Sequence, residues 1–296
     1  MSDGIQEPVN RMVPAPRGRL HVTDYPGTAP PLVLMHGFPD DSRIYDRLAS
    51  QLAPRRVVAV DWLGYGRSDR ADPGFLDAGS HQGELRAVLD SLDLRRVTLV
   101  GHDASGPDAI DFAASEPGRV GRLVLLNTYY GHAPELRLPE MIRLLADPAL
   151  TPLADAMIGE PGQRLWLLVH TGRQWAMDPD DEGGVAFASI VPQFFGDNTQ
   201  PDALAAIRAW TAGLFPALER QDARITAGAL AGLDLPVTLV FGAADQYLSP
   251  DLARHLAGLF RHADVHLVHD ASHWPQWDQP SEVAKLIMHA APTDTE

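Results

Sequence analysis

The sequence predicts an α/β fold, a mostly parallel sheet with helices on both faces and a helical cap insertion. Three observations predict it. Short apolar runs of strand type recur without polar alternation, as strands covered on both faces require. Amphipathic stretches separate many of them, and strand–helix alternation implies a parallel sheet. Between about Gly131 and Gly232 the alternation stops, in a span rich in Leu, Ala, Pro and Trp.

Taken in order, Met12–Tyr25, with Leu20, Val22 and Tyr25 alternating, is expected as an antiparallel strand pair at the sheet edge. Pro31–Met35 and Arg56–Val60 read as covered strands, and Gln82–Leu92 as an amphipathic helix. Val97–Val100 and Leu123–Leu126 are the next strands, with a helical pattern starting near Pro107 between them. The middle span is expected as several short helices, such as Ala203–Gly213 and Pro216–Arg224. Val237–Phe241 and Val265–Val268 complete the sheet, and the tail Ala291–Glu296 is expected to fray. The domains expected are a core of residues 1–130 and 233–296 and a helical cap, or lid, of residues 131–232. A cap there would sit above the carboxyl edge of the sheet, where open α/β folds bind ligands. The plainer alternative is a second helical layer that never meets substrate.

Composition narrows the function classes. With 296 residues, 45% of them hydrophobic, the chain can bury one large core. A formal charge of −15 argues against non-specific binding to nucleic acid and against docking on anionic membranes. There is no cysteine, hence no disulfide, thiolate metal site or Cys nucleophile. The 12 histidines are scattered, with no HExxH, so no metal and no cofactor are expected. The first residues show no basic stretch leading into an apolar one, and no run of about 18 apolar residues follows. A cytoplasmic protein, monomeric or homodimeric, acting on a small and largely apolar molecule is the expectation.

Four pieces carry the chemistry. Val97–Gly106 reads VTLVGHDASG: strand, sharp turn, helix, with small residues around one reactive side chain, Asp103. A helix cap would explain an Asp there but not the small neighbours. A rival apex is Ser105, which would put Asp103 and Pro107 where small residues belong. A carboxylate is ionised at neutral pH and needs no base to attack a saturated carbon bearing a leaving group. The second piece, His36-Gly37-Phe38-Pro39, follows a strand, and the amides of Phe38 and Ala104 would form an oxyanion hole. The third is Asp245, just past a strand, where a carboxylate can orient an imidazole. The fourth is His273 in DASHWPQW, preferred over His269, which sits too close to its strand. Asn127, after the preceding strand, is another residue at a strand end, but an amide cannot carry the charge. Asp40 and Asp41 read as helix-cap residues.

HGFP, DWLGYGRSD (Asp61–Asp69), GHDASG, FGAADQY and SHWPQW together resemble the α/β-hydrolase fold superfamily. The Asp apex is similar to its epoxide hydrolase and haloalkane dehalogenase branch. The resemblance covers roughly residues 30–130 and 235–285 and implies Asp103 as nucleophile, Asp245 as acid, His273 as base, and Phe38 and Ala104 as oxyanion amides. Three family devices for the leaving group are not intact. No Tyr lies between Gly131 and Gly232, the residue after the nucleophile is Ala104 rather than Trp, and no arginine follows Asp103 directly. Trp175 and Trp210 are expected to replace them, each with an indole N–H; Trp166 is a further cap indole, and His170 and Gln174 lie near Trp175. Tyr129 and Tyr130, at the cap's entrance, are further candidates, while packing is the alternative role for each Trp. The expected activity is hydrolysis of an epoxide or a carbon–halogen bond through an aspartyl ester. A biosynthetic ester or lactone hydrolase, cyclase or lyase is the second class, and a non-catalytic small-molecule binding protein the third.

Overall fold

A computed structural model describes residues 7–70, 80–175 and 201–289. Eight strands form one sheet in the order β1-β2-β4-β3-β5-β6-β7-β8. They are β1 (Val9–Ala15), β2 (Gly18–Tyr25), β3 (Thr28–Met35), β4 (Arg55–Val60), β5 (Val97–Asp103), β6 (Val120–Thr128), β7 (Val237–Gly242) and β8 (Ala263–Val268). β2 is antiparallel to β1 and to β4, and every pairing from β4 across to β8 is parallel. The sheet is the predicted one, with the antiparallel pair at its edge. Every residue of β5 and of β7 is buried, which is why their sequences run apolar without alternation. Register sets Met35 beside Gly101 and Asp103 beside Thr128, so the central strands end together at one edge.

The helices are α1 (Asp46–Ala49), α2 (Ser80–Ser91), α3 (Ser105–Ser115), α4 (Glu140–Ala146), α5 (Thr151–Gly159), α6 (Pro161–Trp175), α7 (Pro201–Thr226), α8 (Pro250–Ala257), α9 (Pro275–Asp278) and α10 (Pro280–His289). α2 packs with α3, and α1, α9 and α10 form a second group. α3 starts at Ser105, ahead of the expected Pro107, because a proline in the first turn costs no intrahelical bond. α4 to α7 lie between β6 and β7; the part of the expected cap at 176–200, and the tail at 291–296, fall outside the described residues.

One expectation is corrected. Ala203–Gly213 and Pro216–Arg224 are not two helices but parts of α7, a single helix of 26 residues with Pro216 inside it. Proline removes one backbone bond and strains the turn before it. Ile207, Thr211, Leu214, Leu218 and Gln221 are nonetheless buried, at steps of three and four that continue past the proline. Burial of that one face carries the helix through. No helix among the described residues is long and apolar enough to cross a membrane.

Candidate active site

The site is built on the carboxyl ends of β3, β5, β7 and β8. β5 ends on Asp103, whose φ of +48° lies in the left-handed region. A non-glycine residue there costs on the order of 1–2 kcal/mol, so its surroundings must hold it. Thr128 Oγ1 donates to the Asp103 carbonyl at 2.5 Å. A Cβ on Gly106 would overlap the Thr128 side chain, and one on Gly37 would lie 2.5 Å from the Asp103 Cβ. The small residues of GHDASG and HGFP therefore let three backbone segments crowd around one carboxylate. Ser105, the rival apex, points elsewhere: its hydroxyl donates to the Met35 carbonyl at 2.6 Å and accepts the His102 N–H at 3.0 Å.

The loop after β3 is pinned by His36. Its Nδ1–H donates to the Gly37 carbonyl at 2.8 Å, and Nε2 accepts the Trp62 backbone N–H at 3.1 Å. Only a neutral imidazole can do both, and burial lowers its pKa accordingly. Asp61 ties the same loop to the DWLGYGRSD turn, accepting Ser42 N–H at 2.8 Å and Arg67 N–H at 3.0 Å. The outcome is that Phe38 N–H donates to Asp103 Oδ2 at 2.9 Å. Ala104 follows Asp103 directly and is the N-cap residue of α3.

His273 lies across from this turn. Its Nδ1 bonds Asp245 Oδ2 at 3.0 Å, and both residues are buried. Asp245 accepts three further bonds, from the N–H groups of Tyr247 (2.9 Å) and Leu248 (3.0 Å) and from Asn127 Nδ2 (2.8 Å). Asn127 in turn accepts Gly242 N–H at 2.8 Å. The amide that could not replace the acid instead holds it in place. His269 is exposed.

Asp103 and His273 border one cavity of about 30 Å³. Trp175 and Trp210 both line it. Trp175 stacks on the His273 ring with centroids 5.0 Å apart, and Trp210 stacks on Phe38 at 4.0 Å. Tyr129 and Tyr247 line the same space. Tyr130 is not among its walls: its hydroxyl donates to Asp111 at 2.5 Å and accepts from Arg224 at 3.0 Å. His170 is also not brought to the cavity. It lies exposed on α6, stacked on the exposed Trp166 at 5.2 Å, because that side of the helix faces away from the core.

Two residues behind the site carry contacts that sequence reasoning missed. His102 Nε2–H donates to the His273 carbonyl at 2.8 Å, and its Nδ1 lies 3.4 Å from Asp40 Oδ2. Asp40 also accepts the Trp274 indole N–H at 3.1 Å. Asp41 does cap the turn at Ser42–Tyr45, but Asp40 does not cap it; it is fully buried under the His273 segment. Among the described residues, no group of three or more His, Cys, Asp or Glu is placed to hold a metal ion.

A family model for the alpha/beta hydrolase fold matches residues 30–280. The chain belongs to that family. Within it, the chain is similar to a haloalkane dehalogenase of Mycolicibacterium paratuberculosis, 31% identical over 286 residues, which is 91% of this chain and 86% of that protein. Among solved structures it resembles the epoxide hydrolase CorEH, with a TM-score of 0.75 at 21% identity, covering 96% of this chain and 98% of that one. It also resembles the 2-hydroxy-6-oxo-6-phenylhexa-2,4-dienoate hydrolase BphD of Rhodococcus sp. strain RHA1, with a TM-score of 0.79 at 20% identity and coverage of 96% and 98%. At these structural identities the likeness is one of fold.

The electrostatics of this α/β-hydrolase couple several buried charged groups. Burial opposes protonation of His273, but the hydrogen bond and charge of Asp245, with the charges of Asp103 and Asp40, push it up to about 9. Burial likewise raises the Asp103 carboxyl above its ordinary value, against the pull of His273 and the Phe38 amide. Asp245 is held low despite its burial, by His273 and its backbone and Asn127 donors. Because the folded His273 titrates above its ordinary 6.5, its stabilising contribution is complete below 6.5 and is lost as pH rises through about 9. Asp103→Asn removes one of the raising charges. NMR titration of the imidazole is expected to show a pKa below about 9 in that variant. An unchanged value would mean that Asp103 exerts no field on His273.

Proposed function

We propose that the protein hydrolyses a small organic electrophile at carbon, a carbon–halogen bond or an epoxide, through a covalent ester on Asp103. The observation that carries this reading is the apex of the turn: a carboxylate, held by the Phe38 amide at 2.9 Å, bordering a cavity shared with His273. The amide occupies Oδ2, so Oδ1 is the attacking oxygen. Attack forms the carbon–oxygen ester bond as the bond to the leaving atom breaks, and that atom keeps the electron pair. His273, with Nδ1 fixed on Asp245, then takes a proton from water through Nε2, and the hydroxide adds to the ester carbonyl. Phe38 N–H stabilises the oxyanion on Oδ2, with Ala104 N–H as the second donor. Collapse expels the alcohol, protonated by His273, and the regenerated carboxyl group loses its proton to solvent. Ester formation removes the Asp103 charge that helps to raise His273, so the imidazole gives up its resting proton to solvent more readily and stands neutral, as the base for water must be.

Residues 131–232 act in this reading as the cap over a core of 1–130 and 233–296. The dehalogenase-like relative and the two indoles lining the cavity, Trp175 and Trp210, favour a halide leaving group. The phenol of Tyr129, which lines it as well, favours an epoxide oxygen, which needs a proton. Halide release from bromoalkanes, against diol formation from epoxides, separates the two. The ester itself is tested by a single turnover in water enriched in heavy oxygen with enzyme in excess. The label is expected in the Asp103 carboxylate and not in the product. Label in the product alone would mean direct attack by water.

A further inference from the structure

We propose that the substrate carries a carboxylate at the end remote from its reacting carbon, and that Arg137 binds this group at the throat of the site. The proposal deepens the reading above and rests on Asp103 as the reacting carboxylate.

Arg137 follows β6, ahead of α4, and its backbone N–H bonds the carbonyl of Tyr247 at 3.4 Å. It borders two spaces at once. One is the cavity of about 30 Å³ over Asp103; the other is an outer hollow of about 800 Å³ that also meets Glu140 and Arg143. Leu138 and Tyr247 border both as well, so the two spaces meet at this point.

The inner cavity suits an apolar group. Ile142, Trp210 and Leu214 form much of its wall, and among the described residues its one carboxylate is Asp103. A second anion there would meet like charge and apolar surface together. No arginine stands at the start of α3, where Ala104-Ser105-Gly106-Pro107-Asp108 follows Asp103. An anionic end of a substrate would therefore stay at the throat.

Arg137 is equipped to receive it. Its side chain is exposed and has no hydrogen bond or carboxylate partner among the described residues. Several other arginines are tied to carboxylates, as Arg43 is to Asp41 at 2.6 Å and Arg56 to Asp24 at 2.9 Å. Glu140, beside Arg137 in the hollow, accepts instead from the Tyr247 hydroxyl at 3.4 Å. In a chain of net charge −15, an unengaged guanidinium at the entrance is a local attraction against the overall field. Its planar fork matches a carboxylate in two parallel bonds.

The test compares ligands that differ only in charge. Hexanoate is expected to bind the wild type roughly 10- to 100-fold more tightly than hexanamide, as a charge-assisted bond provides. Arg137→Gln is expected to erase that preference, and Arg137→Lys to restore part of it. The ratio of kcat/KM for ω-bromohexanoate over bromohexane should fall in step. Equal binding of hexanoate and hexanamide by the wild type, or an undiminished preference in Arg137→Gln, overturns the proposal. The binding arm needs no turnover, so its failure is separate from failure of the ester mechanism. A mass adduct on Asp103 of His273→Gln from bromohexane without anion preference would overturn this inference alone. Anion preference without any adduct in that variant would overturn the ester reading alone.

Discussion

Asp103→Ala is expected to abolish turnover, by roughly 10⁴-fold or more, as loss of a covalent nucleophile does in enzymes that act through one. Among the described residues, no neighbouring group can take over. Ser105, two residues on, has its hydroxyl bonded to the Met35 carbonyl and lies under the turn rather than on the cavity. Asp40 and Asp245, the other buried carboxylates nearby, accept from Trp274 and from His273 with Asn127. The fold should survive, because the Asp103 side chain gives up one hydrogen bond, from Phe38 N–H. Alanine is less at ease than Asp at a φ of +48°, so about 1 kcal/mol of stability is the expected loss. Asp103→Asn, which tolerates that φ, is the companion variant. Steady-state rates and thermal unfolding of both check the result. Activity retained in both variants, with loss in Ser105→Ala, would move the reaction to Ser105.

Much of the sheet was legible because its central strands are covered on both faces. Such strands need no polar alternation, and the runs at Val97–Val100 and Val237–Phe241 show none. The edge pair was legible for the opposite reason. β1 is largely exposed, and in β2 the apolar Leu20 and Val22 alternate with the polar His21 and Thr23, which are buried on hydrogen bonds to Asn10, so alternation appears. The candidate site residues were legible where a motif fixes them to a strand end, as with Phe38, Asp103, Asp245 and His273.

The rest depended on which way a side chain turns. Asp40 and Asp41 are adjacent and chemically identical, yet one caps a turn and the other is buried against Trp274 and His102. His102 carried no signal beyond its place next to Asp103. At a strand end, successive side chains leave on opposite sides, so His102 reaches the segment behind the site. Asn127 could have been suspected, since it ends a strand beside the acid's position and holds a φ of +28°. His170 and Trp175 share a helix, five positions apart, and that spacing sets one outward and the other into the cavity. Pro216 gave a false break because its local cost is smaller than the burial of the helix face around it.

The second large effect separates the two chemical steps. In a hydrolase that attacks through serine, the histidine serves both steps, and its loss stops the first. A carboxylate nucleophile needs no such base, so ester formation should survive His273→Gln while ester hydrolysis should not. Asp245→Asn should behave likewise but more leakily, since the imidazole remains and loses only its fixed Nδ1 partner. Loss of the His273 charge leaves Asp103 buried with one fewer attraction, so alkylation itself should slow, though not stop. The direct measurement is the intact mass of His273→Gln after incubation with a bromoalkane or epoxide that the wild type consumes. The account predicts a stable mass increase equal to the alkyl group less one hydrogen, or to the whole epoxide, carried on Asp103. Unmodified protein under those conditions would contradict it.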